Sequence, residues 1–209
     1  MQAISRTRKL VIALATAAVV FGFAAPAHAV GGTGSQTGSQ IASLASDNLG
    51  KHACSTNSLG GTGFMSSCTG NGGQPEYWCA DFAKWAWKHN GIDVTGLTAA
   101  AYSFYSVAKA NHKFGTTPVV GSVAIFSNNQ GDTSWSSHGI NHVAIVSYAS
   151  GSNIKTISGD WGGSGSTQAQ FASSSDVFLN TASGGGAYNG SPGNYASPMG
   201  MWVIGYAYF

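Results

Sequence analysis

The sequence predicts an α+β fold in which N-terminal helices pack on a mainly antiparallel β-sheet. Residues 39–113 contain three segments whose apolar side chains recur at helical spacing. Residues 119–209 contain four segments that are typical of strands, separated by Gly, Asn and Ser. Because the helices precede the strands along the chain, α+β is favoured over alternating α/β.

The first residues are typical of a secretory signal peptide. Arg6, Arg8 and Lys9 precede an apolar run over residues 10–23, and the sequence APAHA follows it. The run is shorter than the roughly 20 residues of a membrane-spanning helix. We therefore expect a signal peptide over residues 1–29, a flexible lead-in over residues 30–40 and a single folded domain over residues 41–209.

The balance of charge excludes several classes of partner. The whole chain carries 9 basic and 7 acidic residues, but three of the basic residues belong to the signal peptide. The mature chain therefore has six lysines against seven acidic residues. Without a basic surface we expect no nucleic-acid partner, and we expect no membrane association of the mature form.

Three helices are predicted before the strands. The first covers residues 39–50, with Ser39 as its N-cap and Gly50 as its stop. The second covers residues 75–91, PEYWCADFAKWAWKHNG, with Pro75 in its first turn. The third covers residues 97–113.

The second helix presents an apolar face that contains Cys79. Phe82, Ala83 and Ala86 follow the cysteine at spacings of three, four and seven residues, while Asp81 and the lysines lie off this face.

Four strands are predicted in the second half. They cover residues 119–126, 140–149, 153–159 and 201–209. The Gly-, Ser- and Asn-rich residues 162–197 are expected to be long loops or mobile segments.

The three cysteines cannot all pair within one exported chain. Cys54 and Cys68 flank a loop of turn-forming residues, and a bridge between them would contribute about 3 kcal/mol in the chain-entropy model. Cys79 is then the free thiol. Its position in the first turn of a helix predicts a lowered thiol pKa, and the alternative is a small buried core residue.

A nucleophilic cysteine needs a base, and His142 is the best candidate among the histidines. It begins the apolar strand segment HVAIV, where its side chain can face the end of a neighbouring element. A third group must hold the imidazole in the correct tautomer. Asp160, at the end of the next predicted strand, is the best candidate for this orienting role.

Metal chemistry is the alternative for these residues. A zinc site would use His138 and His142 with Asp132 or Asp160, but its two histidines lie in a loop-to-strand segment without an adjoining glutamate. A calcium site near Asp132 would have one carboxylate. Neither GxSxG nor GxxxxGK occurs in the chain. We expect no metal and no cofactor.

Three motifs in order resemble the CHAP domain, a cysteine- and histidine-dependent amidohydrolase/peptidase group. They are EYWCADFAKW, NHVAIV and ISGDW, and the resemblance covers residues 41–209. It implies a papain-like fold of the NlpC-related superfamily, with Cys79 as nucleophile and His142 as base. Many members carry a glutamate and then an asparagine in the third motif, where this chain has Ser158 and Asp160. The orienting role is therefore expected to fall on Asp160 alone.

The resemblance also implies a function. A secreted or cell-wall-associated monomer would cleave an amide bond of bacterial peptidoglycan, its substrate. Gln74 is a candidate oxyanion donor, and Trp161 is a candidate wall of the substrate groove, together with Tyr77 and Trp78. Two other interpretations stay open: a non-catalytic cell-wall-binding or interaction protein on a degenerate scaffold, and acyl transfer in place of hydrolysis.

Overall fold

The computed structural model describes residues 35–136 and 139–209 of the chain. Four α-helices occur in this part: α1 (Gln36–Ser46), α2 (Cys79–His89), α3 (Ala101–Ala110) and α4 (Gln168–Ser174). Its strands are β1 (Phe114–Gly115), β2 (Val123–Ser127), β3 (Ile140–Ser150), β4 (Asn153–Trp161), β5 (Asp176–Asn180), β6 (Tyr188–Asn189), β7 (Tyr195–Ala196) and β8 (Met201–Ala207). A 3₁₀ helix covers Ser183–Gly185.

The strands form one antiparallel sheet. Its order is β1-β8-β2-β3-β4-β5, with β6 paired to β4 and β7 paired to β8. The central register places Val143 of β3 opposite Ile125 and Ile145 opposite Ile157. The outer edge of β5 is covered, because Gly50 donates to the Val177 carbonyl and the Val177 N–H donates to Lys51. The predicted α+β class, with helices on a mainly antiparallel sheet, is confirmed.

Both faces of the sheet are buried. On one face α1, α2 and α3 pack against the central strands, and the core there includes Phe82, Phe104 and Val143. On the other face a second core, which includes Phe126 and Tyr206, extends to residues of the segment 188–199. Within the described residues, no helix is long and apolar enough to cross a bilayer.

The first helix starts earlier than the sequence predicts. Its N-cap is Ser35, whose hydroxyl accepts from the Gly38 N–H, so the prediction of Ser39 as the cap was wrong. Residues 36–40 of the expected lead-in are therefore helical, while residues 1–34 lie outside the described part. Gly38 explains the extra turn, since a Cβ there would lie 2.1 Å from the Val120 carbonyl oxygen. This close packing is a tertiary contact that local sequence patterns do not reveal.

The second helix starts later than predicted. It begins at Cys79, and residues 75–78 precede it without helical structure. The Glu76 N–H donates to the Ser67 carbonyl, which ties this segment to the preceding loop and takes it out of the helix. Cys79 is consequently the first residue of α2, and no side chain of the N-cap residue Trp78 caps it.

The Gly-, Ser- and Asn-rich segment is more regular than expected. Residues 162–197 include α4, β5, β6 and β7. Thr167 and Gln170 form a reciprocal capping box at the start of α4. The Thr-x-x-Gln spacing was a readable signal for this helix, whereas β5 depends on pairing with β4.

Cys54 and Cys68 form a disulfide bond, as the sequence indicates. The loop that they close contributes Phe64, which is fully buried and stacks on Trp78 with ring centroids 5.4 Å apart. The disulfide therefore holds an aromatic core residue against the start of α2.

Replacing both bridging cysteines by serine should destabilise the fold by about 3 kcal/mol, because the closed loop no longer restricts the unfolded chain. Urea unfolding followed by tryptophan fluorescence measures this loss. The pair Thr56→Ala and Thr62→Ala, which changes two exposed residues of the same loop, serves as a control for polarity changes. An unchanged unfolding midpoint in the double cysteine variant would contradict the stabilising role.

Asp81 lies inside the fold, although helical periodicity placed it off the apolar face. It is 1% exposed, and one carboxylate oxygen accepts from the Ser66 hydroxyl. The pKa of Asp81 is raised to about 7, and burial is the largest cause. The Ser66 hydrogen bond acts to lower this pKa, and the neighbouring Glu76 acts to raise it. The folded protein therefore favours the protonated acid.

Asp81→Asn should stabilise the protein increasingly as the pH rises. The raised pKa means that the aspartate's contribution is fully present below about pH 4 and is lost as the pH rises through about 7. Asparagine keeps an acceptor for Ser66 without this penalty. At pH 8 the expected gain is about 4 kcal/mol, because the pKa rises from 3.8 to about 7 and one pKa unit corresponds to about 1.4 kcal/mol.

Thermal unfolding of wild type and variant between pH 4 and 8 measures this difference. Asp93→Asn is the control: Asp93 is exposed, and hydrogen bonds from Thr95 lower its pKa, so that variant should not gain stability as the pH rises. A pH-independent difference for Asp81→Asn would contradict the buried-acid interpretation.

Candidate active site

A cavity of about 840 Å³ opens where the start of α2 meets the beginning of β3 and the end of β4. Cys79 and His142 both line it, as do Asp160 and Trp161. Residues distant in sequence thus reach one cavity because β3 and β4 are neighbours in the sheet and α2 packs across both.

Cys79 lies at the N-terminus of α2 and is 5% exposed. The backbone N–H groups of Val143 and Ala80 donate to its sulfur, and Val143 is the residue that follows His142. Burial raises the pKa of the thiol to about 12, and the negative charge of Asp160 adds to this effect. The lowered thiol pKa expected from the helix start was therefore wrong. A helix terminus contributes only about 0.3–1 kcal/mol, less than the loss of solvation.

His142 projects from β3 and is also 5% exposed. Its Nε2 lies 2.9 Å from the hydroxyl of Ser158, and its ring meets Trp161 edge-on with centroids 5.1 Å apart. Burial lowers the pKa of the imidazole to about 3. Because burial disfavours the charged form of both side chains, the fold favours a neutral thiol and a neutral imidazole.

The hydrogen-bond partner of the His142 ring is Ser158, not the expected Asp160. Ser158 occupies the position where the resemblance places a glutamate. Its hydroxyl donates in turn to the Oδ1 of Asn180 over 2.7 Å. Neither Ser158 nor Asn180 was identified from the sequence as an orienting residue. Ser158 was interpreted only as the replacement of a missing glutamate, and Asn180 lies in the segment 162–197 that the sequence predicts to be loop.

Asp160 contacts the start of α2 instead. Its carboxylate accepts from the Ser175 hydroxyl over 2.7 Å and from the Trp78 N–H. The pKa of Asp160 is raised to about 6 because the effect of burial outweighs that of these two hydrogen bonds, which act to lower it. The backbone of Asp160 has φ 58°, a left-handed conformation that aspartate tolerates better than most residues. Asp160 therefore supplies an acceptor for the N-cap backbone, which lacks a side-chain cap of its own.

Close packing fixes the distance between α2 and β4. A Cβ on Gly159 would lie 2.5 Å from the Phe82 Cβ and 2.8 Å from the Trp78 ring. Trp78 is fully buried, and its indole N–H donates to the Ser175 hydroxyl over 2.9 Å. Trp78 therefore anchors the helix start and does not line the groove.

Aromatic side chains form two walls of the cavity. On one side the rings of Tyr102 and Trp135 stack with centroids 6.1 Å apart, and Trp135 is 75% exposed. On the other side Tyr77 meets Phe171 edge-on at 5.7 Å. Trp161, the candidate groove residue, lines the cavity next to His142. The Tyr102–Trp135 pair was not predicted as a wall from the sequence, because the two residues lie on separate elements.

Gln74 lies away from these groups. It is exposed, and its backbone exchanges hydrogen bonds with Asn71 in a turn. It is not among the cavity-lining residues of the described ranges. The geometry gives no support for Gln74 as an oxyanion donor, whereas the N–H of Cys79 lies at the helix start, where backbone donors lack helical partners.

The zinc alternative includes His138, which lies outside the described residues. Among residues 35–136 and 139–209, no three side chains of His, Cys, Asp or Glu are grouped so that they could hold a metal ion.

Comparison with known proteins adds a family. Residues 69–160 match the CHAP domain family. No curated protein and no solved structure matches the chain. The matched segment begins within the loop before α2 and ends at Asp160, so it contains Cys79, His142 and Ser158 but not Asn180. With its helices packed on an antiparallel sheet and this match around the cavity, the chain contains a CHAP domain of papain-like fold.

Proposed function

We propose that this protein is a secreted cysteine amidohydrolase or endopeptidase that cleaves an amide bond of bacterial peptidoglycan through a Cys79 thioester. The CHAP domain suggests amidase- or peptidase-type chemistry on peptidoglycan. The observation that carries the finer proposal is the shared cavity of Cys79 and His142, in which a backbone N–H next to the histidine contacts the sulfur.

The proposed reaction starts from a neutral thiol and a neutral imidazole. When substrate occupies the cavity, His142 takes the thiol proton while the sulfur attacks the amide carbonyl carbon. The carbonyl oxygen becomes an oxyanion, and the Cys79 N–H at the start of α2 is the donor for it. The imidazolium exists only while the oxyanion is present. The attraction between these two charges offsets the cost of a buried, desolvated imidazolium.

The second half of the reaction releases both products. His142 returns its proton to the leaving amine as the carbon–nitrogen bond breaks, which leaves a thioester on Cys79. His142 then removes a proton from water as its oxygen attacks the thioester. Collapse of this second intermediate frees the carboxylic acid and returns the proton to the sulfur.

The lining of the cavity suits a glycopeptide. Its two aromatic walls offer flat apolar surfaces for peptide planes and for the apolar faces of sugar rings. In the described part of the chain, the lining residues include two acidic residues, Glu76 and Asp160, and no lysine or arginine. This charge distribution disfavours a strongly anionic ligand such as a nucleotide.

The signal-peptide pattern and the disulfide support export of the protein. We therefore place the mature protein outside the cell or at the cell wall, with residues 41–209 as its catalytic domain. Replacement of the family's usual glutamate by Ser158 is the feature that favours the rival function, a non-catalytic wall-binding protein.

Purified peptidoglycan incubated with the mature protein should release soluble fragments, and Cys79→Ala should lower this release on the order of 10³-fold or more because the nucleophile is lost. Mass spectrometry of the fragments is the measurement. New amino termini without new reducing sugar ends identify an amide as the bond cleaved.

Matched histidine variants control this experiment. His142→Ala should be as inactive as Cys79→Ala, whereas His89→Ala, which removes an exposed histidine of α2, should keep full activity. Equal release by wild type and Cys79→Ala would refute the nucleophile. Binding to peptidoglycan without release would favour the wall-binding protein.

Iodoacetamide should alkylate Cys79 slowly at neutral pH and leave Cys54 and Cys68 unlabelled in the oxidised protein. Because the pKa of the thiol is raised to about 12, its thiolate fraction should grow about tenfold per pH unit between pH 6 and 9 without reaching a plateau. Mass spectrometry of labelled peptides measures the rate. Rapid labelling at pH 5 to 6 that is independent of pH would instead indicate a preformed thiolate–imidazolium pair.

A further inference from the structure

Three neighbouring strands contribute one chain of side-chain hydrogen bonds behind the cavity. His142 comes from β3, Ser158 from β4 and Asn180 from β5, and these strands are adjacent in the sheet. The His142 Nε2 lies 2.9 Å from the Ser158 Oγ, which lies 2.7 Å from the Asn180 Oδ1. The serine and the asparagine are 0% and 1% exposed. Water therefore does not compete for these bonds.

The chemistry of the three groups fixes where the protons lie. The Asn180 Oδ1 is a carbonyl oxygen and only accepts, so the single hydroxyl proton of Ser158 is directed toward it. The Ser158 oxygen then has only lone pairs for the imidazole. To make the 2.9 Å contact, the His142 Nε2 must carry a proton and donate it.

This arrangement determines which ring nitrogen is basic. A neutral imidazole with its proton on Nε2 has its lone pair on Nδ1. Only the nitrogen with the lone pair can accept the proton of a thiol. In the opposite tautomer Nδ1 would carry the proton, and the only lone pair would be on Nε2, the nitrogen that contacts Ser158. Nδ1 could then not accept the thiol proton.

We propose that Asn180 is a positioning residue that holds His142 in the Nε2–H tautomer through the Ser158 hydroxyl. Asn180 is not among the described residues that line the cavity, and it lies beyond the segment that matches the family. Its Nδ2 is buried without a hydrogen-bond partner. The contact with Ser158 therefore uses the acceptor of this amide and not its donor. An effect of Asn180 on catalysis rests on the proposed function. The tautomer of His142 rests only on the hydrogen bonds described above.

The test is nitrogen-15 NMR of the mature protein labelled at histidine, in which protonated and unprotonated ring nitrogens have distinct chemical shifts. The His142 signals are those missing from His142→Ala. Wild type should show one neutral tautomer, with the proton on Nε2. Asn180→Leu, which keeps the size but removes the acceptor, should show Nδ1–H in addition, and Asn180→Asp, which restores an acceptor, should show Nε2–H alone.

Controls separate this role from a merely structural one. Asn153→Leu changes an exposed asparagine of β4 and should leave the tautomer unchanged. If Asn180→Leu does not fold, Ser158→Ala, which removes one oxygen, should give the same loss of a single tautomer. Circular dichroism and an intact Cys54–Cys68 disulfide establish that each variant is folded.

An Nδ1–H tautomer in wild type would overturn the proposal. So would Nε2–H alone in Asn180→Leu or Ser158→Ala, or the appearance of Nδ1–H in Asn180→Asp. Release of peptidoglycan fragments is measured in parallel, and kcat should fall about tenfold in Asn180→Leu and stay near wild type in Asn180→Asp. Absence of release by wild type would refute the proposed function, while the NMR result would still decide the role of Asn180.

Discussion

The contact between the start of α2 and the end of β4 is the constraint on which the candidate site depends. Gly159 allows Phe82 and Trp78 to approach the strand backbone more closely than any other residue type would permit. The Asp160 carboxylate accepts the Trp78 N–H directly above this contact, where the N-cap side chain offers no acceptor. Because Cys79 is the next residue, the position of its sulfur follows from packing and from one backbone hydrogen bond. The left-handed backbone of Asp160 is the local cost of that arrangement.

Burial dominates the electrostatics of the site. The thiol, the imidazole and the Asp160 carboxylic acid all shift toward their neutral forms for the same first reason, loss of solvation. The partial positive charge at the helix start acts in the opposite direction on the thiol, but it is the smaller effect. Charge separation must therefore accompany substrate binding, when the oxyanion, the imidazolium and the leaving group stabilise one another in a site from which water is excluded.

The elements recovered from the sequence are those with a strong local pattern. The apolar face of α2, the strand segments of β2, β3, β4 and β8, and the disulfide all follow from spacing and residue type. Other features required contacts across the fold. Residues 36–40 are helical because Gly38 packs on Val120, and Pro75 lies outside α2 because the N–H of the next residue, Glu76, is bound to the preceding loop. The strand β5 forms because β4 is beside it, so a short strand within a segment that the sequence predicts to be loop joins the sheet.

The sequence by itself determined which residue types are present for chemistry: a free cysteine at the start of a helix, a histidine at the start of a strand, and a motif order that resembles the CHAP domain. The first two follow from periodicity and residue type, which are properties of the chain alone, and the third is a resemblance carried by the motifs themselves. Only the tertiary structure decided which groups meet. It paired His142 with Ser158 and Asn180, placed Asp160 on the helix start, and buried Cys79 deeply enough to keep its thiol protonated. Hydrogen-bond direction and desolvation depend on neighbours from distant strands, and no local pattern contains that information.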